Sequence, residues 1–238
     1  MEDRDFWRKT DFSFTVSGDD REIELQVFID AECDRSCTLI ASFQVDSMEM
    51  IESARIPLAA GKNHVPFQQT VRIVKPLLWQ PRGSSGQPSF YHLSVVFHRH
   101  GTPCHTIEKQ AGIRFLDPCC SGKKFRINGE TLPLKVCEPD FGLDENALAA
   151  ALTGNLVRLT DTDPQLEMKL ERCCASGLIA ALELSGKIGL QDLSVKPGIC
   201  FFTAGPDSPG EQLYRREKKS ALFPFFTHDE LDLWLKHS

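Results

Sequence analysis

Ile23, Leu25, Val27 and Ile29 alternate with Glu22, Glu24, Gln26 and Phe28, the two-residue period of a strand with one buried face. Comparable runs at 12–16, 37–45, 52–57, 64–74, 90–98 and 106–115 make about seven short strands between positions 11 and 117. The breaks between them carry turn chemistry: Ser17-Gly18-Asp19-Asp20, Ala60-Gly61-Lys62-Asn63, Gly83-Ser84-Ser85-Gly86 and His100-Gly101. With no amphipathic helix intervening, the spacing predicts an antiparallel β-sandwich of immunoglobulin type over residues 11–118.

The pattern then changes. Asn128-Gly129 marks a type I′ hairpin, because both central residues of that turn need positive φ. A short apolar strand is expected at 132–136. Asp144 as N-cap, the helix formers of 147–152 and Gly154 predict a short helix. A strand at 155–159, a helix at 164–176 closed by Gly177, and strands at 178–184 and 199–203 follow. Strands alternating with helices imply a parallel sheet over 119–238, and the whole reads as an α+β two-domain chain. The aromatic tail at 222–238, with Phe223, Phe225, Phe226, Leu231, Leu233 and Trp234, reads as a strand or coil and a capping helix, with Asp229, Glu230 and Asp232 as helix N-terminal charges.

Of the 238 residues, 41% are hydrophobic and 25% charged, enough for a sizeable core. The net charge of -6 and the want of a long Lys/Arg cluster argue against a nucleic-acid partner. Arg215-Arg216-Glu217-Lys218-Lys219 reads as a solvated helix face. The first residues offer no signal-peptide core and no stretch of about 20 apolar residues follows, so neither secretion nor a membrane is expected and a cytoplasmic location is. Nine cysteines, an odd number with adjacent pairs at Cys119-Cys120 and Cys173-Cys174, do not form a disulfide framework. Cys33-x3-Cys37 is one metal knuckle without a second. His98, His100, Cys104 and His105 read as strand and hairpin residues rather than ligands. No metal and no cofactor are expected.

Motifs add a resemblance. Val74-Lys75-Pro76-Leu77-Leu78-Trp79-Gln80-Pro81, then Gln87-Pro88-Ser89-Phe90-Tyr91-His92-Leu93, then Ala111-Gly112-Ile113-Arg114-Phe115 and Phe125-Arg126-Ile127-Asn128-Gly129 resemble, in order and spacing, the sandwich of family 2 glycoside hydrolases (β-galactosidases, β-glucuronidases, β-mannosidases). Leu77, Leu78 and Trp79 read beside it as an apolar plug at the start of a strand. Asn155 to Arg158 resembles the family's second barrel strand. Cys173-Cys174-Ala175-Ser176-Gly177-Leu178 resembles the approach to the third, with Cys174 in place of an Asp and Glu183 near its acidic end. The resemblance implies that 119–238 is a partial (β/α) barrel-like domain.

Lys196-Pro197-Gly198-Ile199-Cys200-Phe201-Phe202-Thr203-Ala204-Gly205-Pro206-Asp207-Ser208 is similar to the family's fourth strand, where an Asn-Glu pair supplies the general acid/base. Here Pro206 and Asp207 stand in those places. Proline has no side-chain amide for the sugar's 2-hydroxyl. Aspartate stops about an ångström short of the glycosidic oxygen, a misplacement that costs roughly 100-fold in rate. The residues after Asp207 amount to about one βα unit of roughly 30 residues, whereas the family's nucleophile lies on the seventh strand. The expectation is a family 2-like protein of carbohydrate metabolism without independent catalysis, acting as a carbohydrate- or partner-binding module. Asp207 is its degenerate catalytic position, and Arg158 and Glu183 are its substrate-binding residues. The alternatives are an active retaining β-glycosidase that pairs Asp207 with a carboxylate from the tail or a partner chain, and a piece of a split or longer hydrolase. A sugar, a second copy of the chain or a complementary hydrolase subunit are the partners so implied. Either the aromatic tail or another chain must cover the open sheet.

Overall fold

The computed structural model describes residues 7–46, 50–117, 125–187, 199–217, 225–229 and 231–232. Cys119, Cys120, Lys196 to Gly198, Phe223, Glu230, Leu233 and Trp234, all named above, lie outside the described residues. The chain divides into two compact units, one of residues up to Leu77 with Phe90–Ile113, the other of Leu78–Ser89 with residues from Arg114 on.

The first unit is an antiparallel β-sandwich. One sheet holds β1 (Trp7–Gly18), β2 (Glu22–Cys33), β5 (Gly61–Pro66) and β6 (Val71–Val74); the other has the order β4 (Met50–Leu58), β3 (Cys37–Val45), β7 (Tyr91–Arg99), β8 (Thr102–Ala111). Strict alternation along β2 buries Ile23, Leu25, Val27 and Ile29. The two sheets meet through Phe43 on β3, whose ring lies 6.1 Å from Phe12 of β1 and 6.3 Å from Phe67 just past β5. His100 (φ 50°) and Gly101 (φ 79°) form the two-residue turn between paired Arg99 and Thr102.

The run at 64–74 is not one strand. β5 pairs with residues 28–33 of β2 and β6 with residues 22–25, both along the same edge. Between them Phe67 turns into the core, its N–H bonded to the Val27 carbonyl at 2.8 Å and its carbonyl accepting from Gln26 Nε2 at 2.8 Å. Burial of one large ring thus outweighs continuity of the ladder. The histidine–cysteine group has separate partners: His98 Nε2 with Ser42 Oγ at 2.7 Å, Cys104 Sγ with the Phe97 carbonyl at 3.3 Å, and His105 stacked on Phe97 at 5.7 Å. Among the described residues no cluster of three or more His, Cys, Asp or Glu has metal-site geometry.

The second unit contains the small sheet β9 (Leu116–Asp117), β10 (Phe125–Ile127) and β11 (Glu130–Leu132), with Asn128 (φ 52°) and Gly129 (φ 81°) forming the expected turn. The apolar stretch 132–136 supplies only the end of β11 and one parallel bridge, Val136 to Leu156, which the side chain of Asn155 reinforces. Its Oδ1 accepts from Lys135 N–H at 2.8 Å and its Nδ2 donates to the Pro133 carbonyl at 2.9 Å. Then come α1 (Glu145–Ala151), β12 (Leu156–Thr160), α2 (Leu166–Ala175), β13 (Ile179–Glu183), β14 (Ile199–Ala204), α3 (Pro209–Glu217) and β15 (Phe225–Thr227). The four strands form a parallel sheet in the order of the chain, β12-β13-β14-β15.

The helix ends follow their local chemistry. Asp144 Oδ1 accepts from Ala147 N–H at 2.9 Å as N-cap of α1. Gly177 (φ 70°) ends α2 with bonds from Leu178 N–H to the Cys173 carbonyl and from Gly177 N–H to the Cys174 carbonyl, a Schellman closure. No helix among the described residues is long and apolar enough to cross a membrane.

Ahead of α2, the Lys169 ammonium at 2.6 Å and then the Gln165 N–H at 2.8 Å hold the Asp163 carboxyl below the usual carboxylate range. A carboxyl lowered by folding stabilises above its unfolded value, and that contribution fades as pH falls through the folded value. An Asp163→Asn protein is therefore expected to be less stable than the parent at pH 5–7 by up to about 1 kcal/mol. Urea midpoints measured down the acid range should show the gap closing below about pH 3.8.

Candidate functional site

Val157, Leu159, Ala180, Leu182 and Phe202 turn one face of the parallel sheet onto Leu148 of α1, Leu166, Leu170 and Cys173 of α2, and Leu213 of α3. The period of two places Arg158, Ala181, Glu183, Phe201 and Thr203 on the opposite face. Register brings them alongside: Arg158 beside Ala181, Thr160 beside Glu183, and Glu183 beside Thr203.

After α3, β15 joins the sheet beside β14. Phe226 of β15 is buried and meets Phe201 edge-on at 5.5 Å, while Phe225 on the other side stacks on Tyr214 of α3 at 4.7 Å. Beyond β15 the chain is helical at His228, Asp229, Leu231 and Asp232, and Leu231 is 1% exposed. His228 Nε2 lies 3.5 Å from Glu183 Oε1, and the Arg158 guanidinium pairs with Asp232 Oδ1. Asp232, expected as a helix N-terminal charge, is helical and also pairs with Arg158. The described part of the tail is thus tied to this face through Glu183 and Arg158.

Asp207 belongs to a different local structure. It is exposed, has φ 54°, and lies in the turn between β14 and α3. Its N–H donates to Glu211 Oε2 at 2.6 Å and its carbonyl accepts from Gln212 Nε2 at 3.2 Å. Ser208 Oγ accepts the Glu211 N–H at 3.2 Å, and Pro209 is the first helical residue. Ser208 is therefore the N-cap of α3 with proline at N1, and Glu211 at N3 reaches back past the N-cap to the Asp207 amide. Glu211 is nearly buried and its Oε1 also holds Arg215 at 2.7 Å. Of the three residues singled out from sequence, Arg158 and Glu183 share a face and are each tied to the tail, whereas the backbone of Asp207 is committed to α3.

Sequence reasoning missed Asp161. It follows β12 directly, is 3% exposed, accepts the Ser185 N–H on Oδ2 at 3.0 Å, and among the described residues leaves Oδ1 without a hydrogen-bond partner. The signal was its place: an acid just past the carboxyl end of a parallel strand, where such sheets put ligands. A cavity of about 330 Å³ between the 139–142 loop and the start of α2 holds none of these groups.

Comparison with known proteins gives three findings. Residues 4–114 match the model of the glycosyl hydrolases family 2. A search of curated proteins finds no match. Among solved structures, the exo-chitosanase CsxA of Amycolatopsis orientalis is similar with TM-score 0.69 and 20% identity, over 91% of this chain and 32% of its own. The β-D-mannosidase of Dictyoglomus thermophilum gives 0.66 and 16%, over 92% and 35%. A Bacteroides uniformis β-glucuronidase 2 mutant gives 0.65 and 15%, over 88% and 29%. The chain spans about a third of the length of these structures.

Proposed function

We propose, for a chain that residues 4–114 relate to the glycosyl hydrolases of family 2, a carbohydrate- or partner-binding role without independent glycosidase activity. The supporting observation is the turn at Asp207. A retaining glycosidase needs two carboxyl groups about 5–5.5 Å apart, one of them free to protonate the leaving oxygen. The residue in the acid/base place has a left-handed backbone and an amide bonded to Glu211, next to the Ser208 N-cap that starts α3. Strand order in chain sequence with helices on one face fits a partial (β/α) barrel, and in such a barrel Arg158 and Glu183 line the interior. They are the polar groups offered to a sugar, once His228 and Asp232 give way.

The test is a panel of aryl β-glycosides incubated with the parent protein and with Asp207→Ala. No turnover above the uncatalysed rate is expected from either. Turnover in the parent that disappears in the variant would overturn the reading.

A second reading, an active retaining β-glycosidase, finds support in Asp232, a tail carboxylate on the same face as Glu183. It requires turnover that both Asp207→Ala and Asp232→Asn abolish.

A further inference from the structure

Cys33 ends β2 and Cys37 begins β3, so the three residues between them carry the chain from one sheet of the sandwich to the other. Cys33 is 3% exposed and pairs across the ladder with Gly61; Cys37 is half-buried and pairs with Leu58. The Cys37 thiol donates to Cys33 Sγ at 3.7 Å. A disulfide would need an approach of roughly 1.7 Å, to the ~2.05 Å of an S–S bond. The short connection holds the two sulfurs together, and their unequal exposure gives them different roles.

We propose that Cys33 and Cys37 form a reversible dithiol site whose oxidant is a low-molecular-weight disulfide. Cys37, the accessible sulfur, loses its proton and attacks one sulfur of the oxidant. A mixed disulfide forms on Cys37 and one small thiol leaves with that proton. Cys33 then loses its proton to solvent and attacks Cys37 Sγ, and the second small thiol leaves with a proton. Two protein thiols become one disulfide and one small disulfide becomes two thiols, so electrons and protons balance. Excess small thiol reverses both steps. The product ties β2 to β3 at the corner where the sheets join.

Burial, then the contact with Cys33, pushes the Cys37 thiol up to about 11, with Arg35 opposing weakly. Only the thiolate attacks, so the reaction is slow at neutral pH and quickens about tenfold per pH unit across the alkaline range. This marks the site as one that responds to sustained oxidant.

The experiment uses the full chain with oxidised glutathione at pH 7, 8 and 9, acid quench, alkylation of remaining thiols and peptide mapping by mass spectrometry. The expected product is one peptide pair linked through Cys33 and Cys37, two hydrogens lighter, formed about tenfold faster per pH unit. Cys33→Ala, which keeps an apolar group in the buried place, is expected to stop at a glutathione adduct on Cys37. Cys37→Ala is expected to leave Cys33 unmodified while the chain stays folded. A wild-type adduct on Cys37 that never resolves, a bond from either residue to another cysteine, or no modification of the pair at pH 9 would each overturn the proposal. Should Cys33→Ala fail to fold, the wild-type map and Cys37→Ala still decide it.

Discussion

Trp79→Ala is expected to remove about 3–5 kcal/mol of stability, the range for deleting a large buried aromatic. Trp79 is 0% exposed. Its indole N–H donates to the Cys174 carbonyl at 2.9 Å, and the Arg114 guanidinium lies over the ring at 5.4 Å from its centroid. The Trp79 carbonyl in turn accepts from Asn128 Nδ2 at 2.8 Å. Alanine leaves a cavity and removes the indole donor to a carbonyl at the end of α2. Trp79→Phe separates the two effects: most of the apolar ring remains, and the cost should fall to about 1–3 kcal/mol for the missing donor. Urea titrations followed by far-ultraviolet circular dichroism measure both. A loss below 1 kcal/mol for the alanine variant would mean that the ring is not packed where the structure puts it. Against a total of roughly 5–15 kcal/mol for ordinary domains, the expected loss threatens the fold of the second unit itself.

Trp79 also shows where sequence reading stops. The Leu77-Leu78-Trp79 run was legible as an apolar plug, but Leu77 is 58% exposed and only Trp79 is fully buried. Residues 78–89 pack with the second unit, through an acceptor 95 positions along the chain, which no local periodicity can announce. Strands of the sandwich were legible because each repeats its two-residue period within a few positions, and the positive-φ turns because His100-Gly101 and Asn128-Gly129 carry the residues that such turns need. The tie from Arg158 to Asp232, over 74 positions, was not. Asp207 is the opposite case. Comparison with a catalytic motif drew attention to its carboxylate, while the four letters after it, Ser-Pro-Gly-Glu, already spelled a helix start.

That helix start makes Gly210→Ala the sharper test of the candidate site, because two principles predict opposite signs. Gly210 is the second residue of α3, and exchanging a helical glycine for alanine ordinarily gains about 1 kcal/mol. Here a Cβ on Gly210 would stand 1.9 Å from the Leu184 carbonyl oxygen and 2.8 Å from the Leu184 Cβ. Both neighbours are fixed, the first as backbone just past β13 and the second as part of the buried cluster under the sheet. Gly186 (φ 83°) adds a second close approach, with its own Cβ position 2.8 Å from the Pro209 carbonyl carbon, so α3 cannot simply slide along the loop. Overpacking of this kind costs about 1–3 kcal/mol, and contact with backbone puts it at the upper end. The expected net result is destabilisation by about 2 kcal/mol, the overpacking cost less the propensity gain. Withdrawal of α3 would also pull Glu211 from the Asp207 amide, now 2.6 Å away, so hydrogen exchange at that amide should quicken more than global unfolding alone explains. A variant as stable as the parent, with the Asp207 amide still protected, would show that the helix does not press on β13.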